Sequence, residues 1–355
     1  MDITVTRTTS PRARPAEAEL GFGKHFSDHM FLMDYRAGKG WHAPRIVPYA
    51  PLQLDPAAAV LHYAQEMFEG TKAFRCADGS VAMFRPEANA RRMATGAPRL
   101  CMQCPSEAQM TQAMRALVQV EADWVPRAPG TALYLRPTLI ATEAFLGVRP
   151  AMEYLYFVIA SPVGNYYGGQ GLKAVRIWVE TQEVRAPRGG LGATKAGANY
   201  AASLHAAMKA KEQGFDQVLW LDAREHRTVE EVGTMNLFAV LGGTLVTPPL
   251  SDSILAGVTR DSVLTLAGDL GLNVEQRALS LEELREGHRT GALTEVFGAG
   301  TAAVISPVGE LAFAGGSLVI NQGQVGPVSN RLFEAISSLQ RGTRPDPHGW
   351  VVKVA

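Results

Sequence analysis

One lysine of the chain sits where solubility does not ask for one. In Gly189-Gly190-Leu191-Gly192-Ala193-Thr194-Lys195-Ala196-Gly197-Ala198-Asn199-Tyr200, Lys195 is framed by small residues just before a predicted helix. Two chemistries put lysine in such company. A phosphate-cradling loop requires Gly-Lys followed by Ser or Thr, but here Thr194 precedes the lysine and Ala196 follows it. The second is an amine that forms an imine with an aldehyde cofactor, for which small neighbours leave room and burial favours the uncharged, nucleophilic form. On this segment alone, a glycine loop carrying a solvated lysine stays open beside that reading.

A second pattern with chemical content is Cys101-Met102-Gln103-Cys104. Two thiols do not complete a tetrahedral zinc site, and no second pair or histidine cluster supplies the other ligands. The pair follows a predicted helix rather than opening one, where the helix dipole would activate a thiolate. We read these cysteines, with Cys76, as structural or incidental; three are too few for a secreted disulfide framework, and no metal is expected.

Elements spread over a long chain must position such groups. With 355 residues the chain exceeds one ordinary hydrophobic core, and two domains are expected. Composition is that of a globular protein, 46% hydrophobic and 19% charged, with 34 basic residues balancing 34 acidic ones. That balance removes the long-range field a nucleic-acid binder uses, so an anionic ligand must be held by a few local groups. Apolar runs such as Tyr154 to Ala160 fall far short of the ~20 residues that cross a bilayer. Neither nucleic acid nor membrane is an expected partner, and the cytoplasm is the expected compartment.

Residues 1–20, with Arg7, Arg12 and Arg14 among Thr, Ser and Pro but no apolar core, read as a frayed arm. From there to 163 the pattern is α+β, with helices predicted over Pro56 to Glu69, Glu87 to Leu100 and Ser106 to Val120. A hairpin is predicted about Ala77-Asp78-Gly79-Ser80. Periodicity breaks at 164–172, the expected interdomain loop. A larger domain, 173–355, then alternates short strands with helices near Ala201 to Gly214, Thr259 to Leu270 and Ser280 to Glu286. No repeat or heptad pattern is present.

Several motifs in order carry a resemblance. They are His62-Tyr63, Phe68-Glu69-Gly70-Thr71-Lys72-Ala73-Phe74, Leu133-Tyr134-Leu135-Arg136-Pro137, the Lys195 segment, Glu231-Val232-Gly233-Thr234-Met235-Asn236 and Glu295-Val296-Phe297-Gly298-Ala299-Gly300-Thr301-Ala302. From about Gly21 to Trp350 the chain resembles the branched-chain amino-acid aminotransferases of pyridoxal-phosphate fold-type IV. The resemblance implies a two-domain α+β fold, with a smaller N-terminal domain and a larger C-terminal domain whose barrel-like sheet is flanked by helices. It implies pyridoxal 5′-phosphate carried by Lys195, exchange of an amino group between leucine, isoleucine or valine and 2-oxoglutarate, and a homodimer or larger assembly.

It further implies roles residue by residue. Glu231 would face the pyridine nitrogen, since a protonated ring is the stronger electron sink; Glu230 beside it would point to the opposite face of a strand. Arg92 and the helix start at Gly257, Val258 and Thr259 would take the phosphate, and Tyr200 the phenolic oxygen. Leu255, Thr234 and Thr301 complete the cofactor shell. Phe22, Tyr63, Tyr134, Arg136, Val148 and Tyr166, with Thr234, Thr301 and Ala302, correspond to the substrate side. There aromatic faces suit the branched side chain, and Arg136 suits the distal carboxylate of glutamate.

The thiol pair that some members carry just after the Gly-Thr-Ala turn is replaced here by Ala303 and Ser306. Thiol regulation of that type is therefore not implied. D-amino-acid transamination, aminodeoxychorismate lysis and a non-catalytic binding role share the cofactor residues or the fold, and they remain the alternatives.

Overall fold

The apolar segments Ala132–Ala141 and Glu153–Val163 pair antiparallel over their whole length, and a nine-stranded sheet is built around them. This is a computed structural model, which describes residues 1–164 and 171–355. Beside Glu153–Val163 lie His29–Arg36, Gly40–Pro48 and Thr4–Val5. Beside Ala132–Ala141 lie Thr71–Arg75, Val81–Phe84 and Val351–Lys353. Helices Pro86–Gly96 and Glu107–Val120 add their apolar faces, so that Met93, Met110, Met114 and Leu117 share one buried cluster with Phe31, Met83 and Tyr156. Ser106 starts the second helix with a reciprocal capping box to Gln109.

This sheet belongs to a first unit made of Met1–Gln170, Thr194–Gly197 and Ser338–Ala355; the second unit is Gly171–Ala193 and Ala198–Ser337. The expected division therefore needs two corrections. The chain end, expected in the second domain, joins the first because Val351–Lys353 completes the sheet edge on Val81–Phe84. Thr194–Gly197 joins it because the Lys195 carbonyl accepts from Phe68 N–H at 3.0 Å and Ala196 bridges to Met67. With these segments the first unit is the longer of the two.

In the second unit six strands close on themselves. The ring runs Val229–Val232, Gln217–Leu221, Val175–Val179, Val304–Phe313, Leu293–Gly300 and Met235–Leu241, which pairs back onto Val229–Val232. Closure removes the exposed strand edges of an open sheet. Phe238 and Phe297 face each other on neighbouring strands of the ring and stack at 5.3 Å, both fully buried. Outside, helix Gly197–Glu212 seats Ala206 and Ala210 on Val218 and Trp220, and helices Val258–Asp269 and Leu281–Thr290 flank the sheet.

Two further expectations fail for tertiary reasons. The predicted helix over Pro56 to Glu69 is helical only at Ala59–Tyr63. Ala64 turns left-handed (φ 48°), and Glu66–Phe68 is a strand on Ala132–Ala141. The pairing satisfies backbone groups that a helix would have satisfied locally, so the period-3.6 pattern loses to it. The arm is not frayed: Thr4–Val5 pairs with Arg45 and Ile46, Thr8 N–H donates to His29 Nε2 at 2.9 Å, and Arg12 N–H donates to Asp28 at 2.7 Å. The predicted hairpin forms from Thr71–Arg75 and Val81–Phe84. Most of the expected loop at 164–172 lies outside the described residues.

Candidate active site

In the first unit three consecutive residues each seat a different group expected at the site. Phe68 lies 4.6 Å beneath Lys195 Nζ and 4.5 Å from the Arg136 guanidinium. Glu69 takes Arg92 through two charge-assisted bonds, Nε to Oε1 and Nη2 to Oε2, each 2.7 Å. Gly70 admits Tyr134, whose hydroxyl lies 2.0 Å from where a Cβ would stand. The backbone of this run is itself pinned, Phe68 N–H to Lys195 O at 3.0 Å and Glu69 N–H to Pro137 O at 2.7 Å.

Phe22, Tyr134 and Arg136, three of the residues expected on the substrate side, lie together. Phe22 meets Tyr134 edge-on at 5.1 Å, and Arg136 donates to the Tyr134 hydroxyl at 3.1 Å. Tyr63 sits with the loop that follows Glu143, its hydroxyl donating to the Leu146 carbonyl. Val148, expected in the substrate wall, is 87% exposed on the same loop and is not enclosed by this chain. Tyr166 lies outside the described residues.

Burial is the largest influence on Lys195, and Arg92 adds to it, so its ammonium is pushed down to about 8 against the opposing pull of Glu69 and Tyr134. Burial would raise the Glu69 carboxyl, but Arg92, then Lys195 and Asn89, hold it below the usual carboxylate range. Glu66, half-buried near Arg136, is raised by its burial. Lys72, in the same sheet, is also pushed down to about 8 by burial alone.

The second unit builds a separate cluster. Glu231 is buried on Val229–Val232, with Oε1 accepting from Leu255 N–H at 3.0 Å and Asn236 Nδ2 at 3.2 Å, and Oε2 lying 2.7 Å from Arg185 Nε. Arg185 is held in turn by the carbonyls of Gly192, at 3.0 Å, and Ser253. Glu230, expected on the opposite face, falls where the pairing with Gln217–Leu221 shifts register, so strict alternation does not apply to it; it is buried, burial raises it, Arg185 pulls the other way, and Ser253 donates to it at 2.5 Å.

Tyr200, Thr234, Leu255, Glu231 and Arg185 line one cavity. Gly257 precedes the helix Val258–Asp269 with no side-chain cap, and a side chain of its own is excluded by Asn236 Oδ1, 2.0 Å from where a Cβ would stand. Thr301 and Ala302 form the turn between Leu293–Gly300 and Val304–Phe313, directly after Gly300, which packs on Met235.

Glu69, Asn89, Arg185 and Asn236 were given no role from sequence. Glu69 stood in plain view within Phe68-Glu69-Gly70; Arg185 carries no local signal, because its partner Glu231 is distant in the chain. Both clusters fit the expected cofactor. An amine of lowered basicity and a clamped guanidinium suit its aldehyde and phosphate, and a buried carboxylate with a balancing cation suits its ring nitrogen. Among the described residues no group of His, Cys, Asp and Glu is arranged to hold a metal.

Comparison with known proteins agrees with this chemistry. A branched-chain-amino-acid transaminase of Bacillus subtilis is 49% identical over 348 residues, 98% of each chain. The branched-chain amino acid aminotransferase of Escherichia coli superposes with a TM-score of 0.78 at 27% identity, over 92% of this chain and 99% of that one. The branched-chain aminotransferase of the thermophilic archaeon Thermoproteus uzoniensis, solved with norvaline, gives 0.76 at 26% identity, over 92% of this chain and 100% of that one. Residues 66–311 match the amino-transferase class IV family, and the chain belongs to it.

Proposed function

We propose that the protein transfers an amino group between L-leucine, L-isoleucine or L-valine and 2-oxoglutarate, with pyridoxal 5′-phosphate as cofactor. The observation that carries the reading is Lys195 itself: a lysine with an ammonium near 8, lying on Phe68 beside the clamped Arg92. When bound, the cofactor supplies an electron sink conjugated to the substrate Cα. Lys195 would hold the aldehyde carbon of the cofactor and, as a free amine, would be the base for the substrate Cα proton. Glu231 would meet the ring nitrogen, with Arg185 balancing its charge. Arg92 and the helix start at Gly257, Val258 and Thr259 would take the phosphate, Tyr200 the phenolic oxygen, and Leu255, Thr234 and Thr301 would complete the shell.

One pocket must accept an apolar side chain in one half-reaction and a carboxylate in the other. The faces of Phe22 and Tyr134 suit the first, and Arg136, with a donor edge already oriented by Tyr134, suits the second. Thr301 and Ala302 receive the α-carboxylate at their turn. The exposed Leu146 and Val148, 61% and 87% accessible, support a homodimer or larger assembly in which a second copy covers this loop. Among the described residues no helix is long and apolar enough to cross a membrane. The cytoplasm is the compartment that three unpaired cysteines and small-molecule substrates suit.

The test is a glutamate-forming assay with 2-oxoglutarate and either L-leucine or D-alanine, run on wild type and Lys195→Ala. Wild type should turn over L-leucine and show a visible band that borohydride removes, and Lys195→Ala should lack both. D-alanine as the preferred donor would place the chain with the D-amino-acid enzymes, and a wild type with no band after cofactor addition would leave a binding protein.

A further inference from the structure

Glu69 has more partners than a carboxylate needs for solubility and is 1% exposed. Besides the two bonds from Arg92, Oε2 accepts from Asn89 Nδ2 at 2.9 Å and from Gly70 N–H at 3.2 Å. Asn89 and Arg92 lie three residues apart on helix Pro86–Gly96 and so share a face. Both edges of that face are thereby tied to the strand that carries Phe68. The Arg92 side chain is 12% exposed, so its guanidinium has little freedom apart from this clamp.

The charges around the Lys195 nitrogen point the same way. Arg92 and Arg136 lower its proton affinity, Glu69 and Tyr134 raise it, and Phe68 lies beneath it. Glu69 is the carboxylate in that set. Without it, the two guanidiniums would act on the cationic nitrogen with no carboxylate to oppose them.

We infer that Glu69 is a positioning residue of the cofactor site: its carboxylate fixes the guanidinium of Arg92 for a phosphate and offsets the two arginines at the Lys195 nitrogen. The inference rests on the assignment of Arg92 and Lys195 to the cofactor proposed above. Glu69 acts through those two residues and needs no contact with substrate.

The experiment uses enzyme reconstituted with pyridoxal phosphate, in wild type, Glu69→Gln, Glu69→Asp, Arg92→Gln and the Glu69→Gln/Arg92→Gln double variant. Cofactor Kd and the pH midpoint of the borohydride-sensitive band are read for each. Glu69→Gln should raise Kd about tenfold or more when Arg92 is present, the scale of a lost charge-assisted clamp. In the Arg92→Gln background, the same change should alter Kd less than about twofold. The midpoint should fall in Glu69→Gln, because the negative charge that favours the protonated nitrogen is gone.

Glu69→Asp keeps the charge and shortens the reach, so its midpoint should stay near wild type while Kd rises; it also serves if Glu69→Gln does not fold. Equal Kd factors in both backgrounds, an unmoved midpoint in Glu69→Gln, or wild-type Kd in Glu69→Asp would each overturn the inference. A purely structural Glu69 would lower Tm and leave the midpoint alone. If wild type itself shows no such band, the cofactor reading falls; a normal wild-type band with an unmoved variant removes only the role of Glu69.

Discussion

Replacing Lys195 by Met should make the cofactor-free protein more stable at neutral pH while destroying its activity. The Lys195 amine is pushed from an ordinary 10.5 down to about 8 by burial, with Arg92 adding to it. For a base whose folded pKa is depressed, the charged form is the one that folding penalises. The cost is full below about 8, declines as pH rises, and is gone above the unfolded value near 10.5. That drop corresponds to roughly 3 kcal/mol at most, and solvent reaching the half-buried chain reduces it to about 1–3 kcal/mol.

Methionine keeps most of the apolar length over Phe68 and carries no charge. At about 2 °C per kcal/mol for a chain of this size, Lys195→Met should melt about 2–6 °C higher at pH 7, with the gain shrinking to nothing by about pH 10.5. Calorimetry of the cofactor-free proteins at one scan rate across that range measures it. A variant that melts at or below wild type at pH 7, or a gain that does not change with pH, would refute the reasoning. The same cost has a functional return: at pH 7 about a tenth of an amine near 8 is uncharged, against a few parts in ten thousand for an ordinary lysine.

The other expectations concern the wall and the thiols. Arg136→Gln should raise KM for 2-oxoglutarate at least tenfold while changing that for L-leucine only a fewfold, since the guanidinium serves the distal carboxylate; equal effects on both would remove that role. Gly70→Ala places a methyl 2.0 Å from the Tyr134 hydroxyl and must displace it. It should cost about 1–3 kcal/mol in stability and raise KM for L-leucine, read by thermal melts and initial rates. Iodoacetamide at pH 8 should modify the exposed Cys101 and spare the buried Cys76 and the half-buried Cys104, whose thiol burial pushes up to about 12; mass spectrometry of the labelled peptides decides it.

What is local in this protein could be read from its residues in order. The Asp78-Gly79 turn, the helix after Ser106 and the placement of Lys195 immediately before a helix all follow from neighbouring residues. The roles of Arg92 and Glu231 came from motif resemblance, which transfers a position without its surroundings. Long-range pairing decided the rest.

Glu66–Phe68 became a strand because Ala132–Ala141 offered it partners, and the arm was anchored because His29 and Asp28 accept its N–H groups. Glu69 found Arg92, and Glu231 found Arg185, across spans of chain on which no periodicity acts. The order of residues sets which groups exist and what local backbone they prefer. Which charge balances which, and therefore how basic Lys195 is, depends on distances that only the packed chain defines.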